Sequence, residues 1–338
     1  MGCCIGHCRR IAPHAPGPLL AVLGAAASAS AGLVIAMRAW GDVQVVVVGS
    51  MNVDQITYCQ RFPDTGETLA AIRHDRGFGG KGANQAVMAA RLGARVAIIG
   101  CLGEDDLGDA TVANLAAQGV DATGVARVPG VSSGVAPIWV DAGGANRILV
   151  VPGANAALTA GQVEEALEAR SADIVVGQLE TPQEATAAAF AWARRVGAVT
   201  ILNSAPAAAV DPIVLEQVDW LVANESEFAL LSGTAPRPEE VAAAAAAWDC
   251  GVVVTLGAAG ALAAAVGQPA VAVAAPAVDT VDTTGAGDAF VGTFAVAVAA
   301  GAAPLEAVRL GCAAGALAVQ RPGTQPSFPT AAELTGGR

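Results

Sequence analysis

Val43-Gln44-Val45-Val46-Val47-Val48-Gly49-Ser50 is the stretch from which the fold can be read. A run of β-branched residues that stops at a glycine has the character of a strand covered on both faces, because neither face calls for polar residues. Short apolar runs of the same kind recur at 95–100, 173–176, 198–202, 220–222 and 252–256, and the segments between them carry helical spacing. Strand–helix alternation of this sort predicts an α/β fold with a mostly parallel sheet wound on both faces. Helix ends are visible too. Gly93 and Gly119 stand where glycines close helices, and Thr181-Pro182-Gln183-Glu184 reads as an N-cap threonine, a proline at the first helical position and a capping-box glutamate. The alanine run at 242–247 is a strong helix former.

Two stretches, 55–76 and 134–151, carry strands with no helix between, the second turning through Asp141-Ala142-Gly143-Gly144. They predict a small β-sheet lid projecting from the main domain, whose apolar face must cover a ligand or meet a second copy. The expected organisation is an N-terminal extension at 1–40 outside the fold, one domain at 41–330 and a C-terminal tail at 331–338.

The 338 residues carry a net charge of −12, which excludes a phosphate-backbone binder and makes nucleic acid an unsuitable partner. Beyond the first forty residues, no apolar stretch reaches a membrane span before Gly, Pro or charge interrupts it. Cysteines at 3, 4, 8, 59, 101, 250 and 312 show neither zinc spacing nor a disulfide framework, so a reducing cytoplasm is expected, with Cys101 and Cys250 as core thiols. Trp139, Trp192, Trp220 and Trp248 are expected to be packing residues. His7, His14 and His74 are the only histidines, and a carboxylate is therefore the natural general base. Before residue 38, a Cys/Arg-rich start and an uncharged run from 15 to 37 fit a signal peptide or anchor, or a start placed too early with translation beginning at Met37. The opening Met-Gly also suggests myristoylation, although Gly6 stands where Ser or Thr is wanted. The late start is the preferred reading.

Two segments carry the chemistry. Asp282-Thr283-Thr284-Gly285-Ala286-Gly287-Asp288-Ala289-Phe290 precedes an apolar helical run, so bare backbone N–H groups and the positive end of a helix dipole face one spot. Asp288 alone would suit an N-cap; glycines on both sides of Ala286 exceed what a cap needs. Gly77-Phe78-Gly79-Gly80-Lys81-Gly82-Ala83-Asn84-Gln85 holds the chain's single lysine. It contains G-x-G-x-x-G without the βαβ context of a dinucleotide site, and its spacing is not that of a Walker A loop. What remains is a glycine-rich turn into a helix that delivers Lys81 and Asn84 to one cavity.

Both segments resemble the signature motifs of the ribokinase-like carbohydrate kinases, and the resemblance extends over residues 43–327. It implies a three-layer αβα sandwich with a β-sheet lid, and ATP-dependent phosphorylation of a primary sugar hydroxyl, with ribose favoured as acceptor. Asp288 is then the base, with the N–H groups of Gly285, Ala286 and Gly287 as the anion hole. Gly49-Ser50-Met51-Asn52-Val53-Asp54 and Gln178-Leu179-Glu180 supply Asn52, Asp54 and Glu180 to the sugar, together with Gly80, Lys81, Asn84 and Asp288. Asn224-Glu225-Ser226-Glu227 resembles the family's N-x-x-E motif, which assigns Glu227 to magnesium through water and Asn224 to the nucleotide. Thr255, Gly257 and Gly260 resemble the nucleotide-binding turn, to which Gly287 and Cys312 add. A potassium site is implied between Asp282 and Thr284 on one loop and Ala318, Arg321, Gly323 and Ser327 on another. Segments 133–136, 151–155 and 323–327 carry the resemblance toward ribose as acceptor; Ala145 in the lid and Cys312 at the adenine side depart from it. A homodimer through the lid is the family-based expectation. Rival readings are a family member acting on fructose, a nucleoside or another sugar, and a non-catalytic sugar-binding protein on the same fold.

Overall fold

The computed structural model describes residues 38–336, so the readings made for residues 1–37 fall outside it. Thirteen strands follow in chain order: β1 (Gln44–Val48), β2 (Asn52–Tyr58), β3 (Arg73–Gly79), β4 (Arg95–Gly103), β5 (Val120–Val128), β6 (Gly134–Val140), β7 (Asn146–Ile148), β8 (Ile174–Gly177), β9 (Val199–Asn203), β10 (Trp220–Asn224), β11 (Gly251–Thr255), β12 (Ala261–Ala264) and β13 (Val271–Val273). The helices are α1 (Lys81–Arg91), α2 (Asp106–Ala117), α3 (Ala160–Leu167), α4 (Gln183–Val196), α5 (Pro212–Leu215), α6 (Glu225–Ser232), α7 (Pro238–Trp248), α8 (Ala286–Ala299), α9 (Pro304–Ala318) and α10 (Ala331–Leu334).

The main sheet runs β13-β12-β11-β10-β9-β8-β1-β4-β5, parallel except at β12 and β13. Within β1 the side chains alternate between layers: Val45 and Val47 pack in one core with Phe290 and Phe294 of α8, while Val46 and Val48 pack in the other with Phe190 of α4 and Phe228 of α6. This period of two is why the run needed no polar residue, and it yields the expected αβα sandwich. Strand order reverses direction at β1, whose neighbours are β8 and β4. A crevice opens outside the carboxyl ends of strands at such a point.

The second sheet, β3-β2-β6-β7, is the lid. Its β6–β7 turn is an Asx turn, in which the Asp141 carboxylate accepts from the N–H groups of Gly143 and Ala145.

Some elements differ from the sequence reading. α4 has Pro182 at its N-cap with no side-chain cap, and the Thr181 hydroxyl is buried without a partner. Pro182 keeps an extended ψ of 132°, so the helix starts one residue later than a proline at the first helical position implies. Strands β5, β12 and β13 went unread, because β5 is an edge with polar residues interleaved and the other two are alanine-rich. Trp139 is 41% exposed on the lid rather than packed, whereas Trp192 and Trp220 are buried. At the ends, Arg38 pairs with Asp173, Trp40 packs on the core, and Ala331 and Leu334 of α10 do likewise. Described residues on either side of 41–330 thus also make contacts with the fold.

Candidate active site

Each functional segment leaves the carboxyl end of a strand. Asn52 follows β1, Glu180 follows β8, and β9, β10 and β11 end on Asn203, Asn224 and Thr255. A cavity of about 130 Å³ lies there, with Lys81, Asn203, Asn224, Glu227 and Thr255 on its walls and Gly285, Gly287 and Asp288 at the start of α8.

Asp288 is 8% exposed in the first turn of α8. Gly285 precedes the helix in the left-handed region (φ 78°), a conformation glycine adopts without strain. The N-cap therefore supplies no side chain, and the dipole end faces the cavity. The Ala286 N–H closes back on the Thr283 carbonyl at 3.3 Å, while Gly285 and Gly287 line the cavity. Both Asp288 oxygens receive amide donors: Asn84 Nδ2 bonds Oδ2 at 2.8 Å and Gln85 Nε2 bonds Oδ1 at 2.9 Å. Burial pushes this carboxyl above its usual range, against the lowering influence of Lys81 and the two amides. For Lys81 the balance runs the other way. Burial lowers the ammonium, but Asp288, Glu180 and Glu227 together outweigh it and the net shift is upward.

Those two amides are themselves held. Gln325 Nε2 donates to Asn84 Oδ1 at 3.1 Å, and Asn114 Nδ2 donates to Gln325 Oε1 at 2.9 Å. On the other side, Gln178 Nε2 donates to Gln85 Oε1 at 2.7 Å, and Gln85 Nε2 also reaches Asn203 Oδ1 at 3.0 Å. The sequence reading did not single out Asn114, Gln178, Asn203 or Gln325 as functional residues. Its available signal was the amide residue beside each motif: Gln85 after Asn84, Gln178 before Glu180, and Gln325 between Gly323 and Ser327.

The lid side contributes the other predicted residues. Asn155 Nδ2 donates to Asn52 Oδ1 at 2.8 Å, leaving the Asn52 amide to present its own N–H groups. Asp54 is pushed up to about 6, chiefly by burial and then by Glu180 and Asp288. Glu180 accepts from Ser50 Oγ at 2.5 Å and from the Lys81 N–H at 3.0 Å, capping α1, whose own N-cap Gly80 has none to offer. A Cβ at Gly80 would stand 2.7 Å from the Asn52 nitrogen, so this turn admits no side chain.

Past the end of β10, Asn224 and Glu227 form a reciprocal capping box for α6. Both Glu227 oxygens are used, by Asn224 N at 2.8 Å and Nδ2 at 2.9 Å. Burial raises this carboxyl, against Asn224 and Lys81. Gly257 and Gly260 flank a 3-10 turn after β11, outside the cavity wall. Cys312 lies in the α8–α9 core, where burial pushes its thiol up to about 11.

Asp282 ties two loops together, accepting from Thr284 N and Gly323 N, each at 2.9 Å. Burial works against its ionisation, but these bonds prevail and hold it below the usual range. Arg321 turns outward to Glu333, and Ser327 Oγ donates to Thr324 O at 2.8 Å.

A profile described as pfkB family carbohydrate kinase matches residues 42–331. The chain is 38% identical over 295 residues to a deoxyribokinase of Salmonella typhi, an alignment spanning 85% of this chain and 96% of that protein. Against a ribokinase of Haemophilus influenzae it is 36% identical over 295 residues, covering 86% and 96%. The solved structure of an Arabidopsis thaliana ribokinase complexed with ribose and ATP superposes with a TM-score of 0.79 at 31% identity, covering 87% and 98%.

Proposed function

This chain belongs to the pfkB family of carbohydrate kinases, and we propose that it transfers the γ-phosphate of ATP to the 5-hydroxyl of D-ribose, giving ribose 5-phosphate and ADP. The observation that carries the reading is Asp288: a buried carboxylate at a helix N-terminus, facing a cavity beside the chain's single lysine, with an amide donor on each oxygen.

Phosphoryl transfer asks for positioning and charge stabilisation. Asp288 takes the proton of the acceptor hydroxyl; its amide donors hold the carboxylate in place and favour its ionised form. The α8 N-terminus, through Gly285, Ala286 and Gly287, faces the charge that develops on the phosphoryl group, and Lys81 offsets it. Asn52 donates to the sugar, Asp54 accepts from its 2-hydroxyl, and Glu180, Gly80 and Asn84 complete the sugar site. Asn224 and Thr255 on the cavity wall, and Gly257, Gly260 and Cys312 beyond it, are assigned to the nucleotide.

Magnesium fits an outer role at Glu227, since both carboxylate oxygens already accept from Asn224 and water is the natural intermediary. Held there through water, the ion would supply positive charge to offset that of the phosphates. Between Asp282, Thr284, Ala318, Arg321, Gly323 and Ser327, backbone carbonyls remain as donors, and the only guanidinium of the set points away. That chemistry suits potassium.

The lid leaves Ile72, Ile148, Leu149, Val150 and Val151 exposed, Leu149 by 70%, which supports a homodimer through this face. Cytoplasmic residence fits ATP as co-substrate and the free thiols of Cys59, Cys101, Cys250 and Cys312.

The deciding experiment is a panel of sugars assayed with ATP in wild type and Asp288→Asn. Ribose should give the highest kcat/KM, and the variant should lose ~10²–10⁴ in kcat while still binding sugar. Near-normal turnover of Asp288→Asn would refute the mechanism. A faster reaction with 2-deoxyribose, fructose or a nucleoside would reassign the acceptor alone.

A further inference from the structure

Asp288 receives its Oδ2 hydrogen bond at the end of a one-way row of side-chain amides. Asn114 of α2 donates to Gln325, Gln325 donates to Asn84, and Asn84 donates to Asp288, at 2.9, 3.1 and 2.8 Å. Gln325 and Asn84 are 3% and 5% exposed, so their amides find most of their partners within the row. A primary amide has an acceptor end and a donor end, and reversing one member of such a row forces its neighbour to reverse or to face a like group. If Asn84 were reversed, its Oδ1 would face the Asp288 carboxylate, and one of the two donors favouring the ionised base would be lost.

We propose that Asn114 and Gln325 are positioning residues for the phosphoryl transfer: they fix which end of the Asn84 amide meets Asp288. The proposal rests on the reading of Asp288 as the base. Gln325 lies between Gly323 and Ser327, so the row also links that loop and α2 to the reacting carboxylate. The charged groups acting on Asp288 from other elements are Lys81 on α1 and Glu180 after β8; Asp54 on the lid and Glu227 on α6 respond to it in turn. None of them belongs to the row.

Asn114 is half-buried and, in this reading, remote from both substrates, so it is the residue to change. Asn114→Asp keeps the shape but offers only acceptors, which turns the Gln325 amide around and, through it, Asn84. Asn114→Ala removes the contact without imposing the reverse polarity. At pH 7, Asn114→Asp should lower kcat by about tenfold and move the acid limb of the kcat–pH profile up by about one unit, because a lost donor raises the base's pKa. KM for ATP should hold, and Asn114→Ala, which leaves the Gln325 amide free to take either direction, should fall between wild type and Asn114→Asp in both kcat and limb. In the double variant Asn114→Asp/Gln325→Met the polarity signal is cut, so adding the aspartate should change neither kcat nor the limb relative to Gln325→Met alone.

Three outcomes overturn the relay. They are a folded Asn114→Asp enzyme with wild-type kcat and limb, equal effects of Asp and Ala, or an aspartate effect that survives Gln325→Met and so acts through space. A normal rate in Asp288→Asn would instead remove the base itself, which keeps the two failures apart. Unchanged thermal melting of Asn114→Asp confirms that the comparison is made on folded enzyme.

Discussion

Gly79→Ala tests the sugar site through a single added methyl group. Gly79 ends β3 opposite Asn52 and has no left-handed backbone, so alanine introduces no conformational strain. Its Cβ would stand 2.6 Å from Asp54 Oδ2, 2.7 Å from Oδ1 and 2.9 Å from Cγ. The obstructing group is the end of a side chain, which can swing aside; to regain ordinary contact at 3.4 Å it must withdraw by about 0.8 Å. The stability cost is then small and is offset in part by the ~0.4–1 kcal/mol that Gly→Ala contributes through the unfolded chain. Binding is affected differently. A hydrogen bond of ~2.8 Å lengthened by this amount ceases to be one. Loss of a bond to a charged group costs ~1.5–3 kcal/mol, or about 10- to 150-fold in KM for ribose. If the lost partner is the 2-hydroxyl, 2-deoxyribose should suffer far less, and the preference between the two sugars should narrow. Steady-state assays of ADP release with each sugar, beside a melting curve, give the answer. A ribose KM within twofold of wild type in a folded variant, or equal losses on both sugars, refutes the placement of Asp54.

Asp54→Asn should stabilise the fold at neutral pH while weakening sugar binding. With a folded pKa of about 6 against 3.8 when free, this carboxyl favours the folded state only when protonated. That contribution is full below about pH 4 and lost as pH rises through about 6, so the variant should gain about 1–3 kcal/mol at pH 8 and little at pH 4 in denaturant titrations. Glu227→Gln should raise the magnesium needed for half-maximal rate several-fold and leave the rate at saturating magnesium within about threefold. An unchanged magnesium dependence would return Glu227 to its capping role alone.

The sheet was legible because its central strands are buried on both faces. The valines of β1 answer two hydrophobic layers at once, as a strand covered on both faces must. Its edges were not. β5 interleaves Asp121, Thr123 and Arg127 among its apolar residues, while β12 and β13 are short runs of alanine, valine and leucine, a composition that helices share. Thr181 misled for a related reason. A capping box is a local pattern, yet the residue that satisfies a helix end can arrive from elsewhere, as Glu180 does at α1.

The same distinction separates what could be read of the site from what could not. Asp288, Lys81 and the glycines around them announce themselves through rarity: one lysine in 338 residues, and more glycine than a turn requires. The amides that hold Asp288 are ordinary residues whose meaning depends on direction. Gln85 is adjacent in sequence to Asn84, but the groups that orient the pair, Gln178 and Gln325, lie 93 and 241 residues away. Burying a carboxylate obliges the fold to supply donors, and each buried donor amide carries an acceptor that must be matched in turn. One branch stops at the Val222 carbonyl, reached by Asn203 Nδ2 at 3.1 Å, another at half-buried Asn114, and a third at Gln178, whose Oε1 is buried without a partner. For that reason the buried Asp288 carboxylate draws on Asn and Gln residues far away in the chain, and no spacing in the sequence betrays which they are.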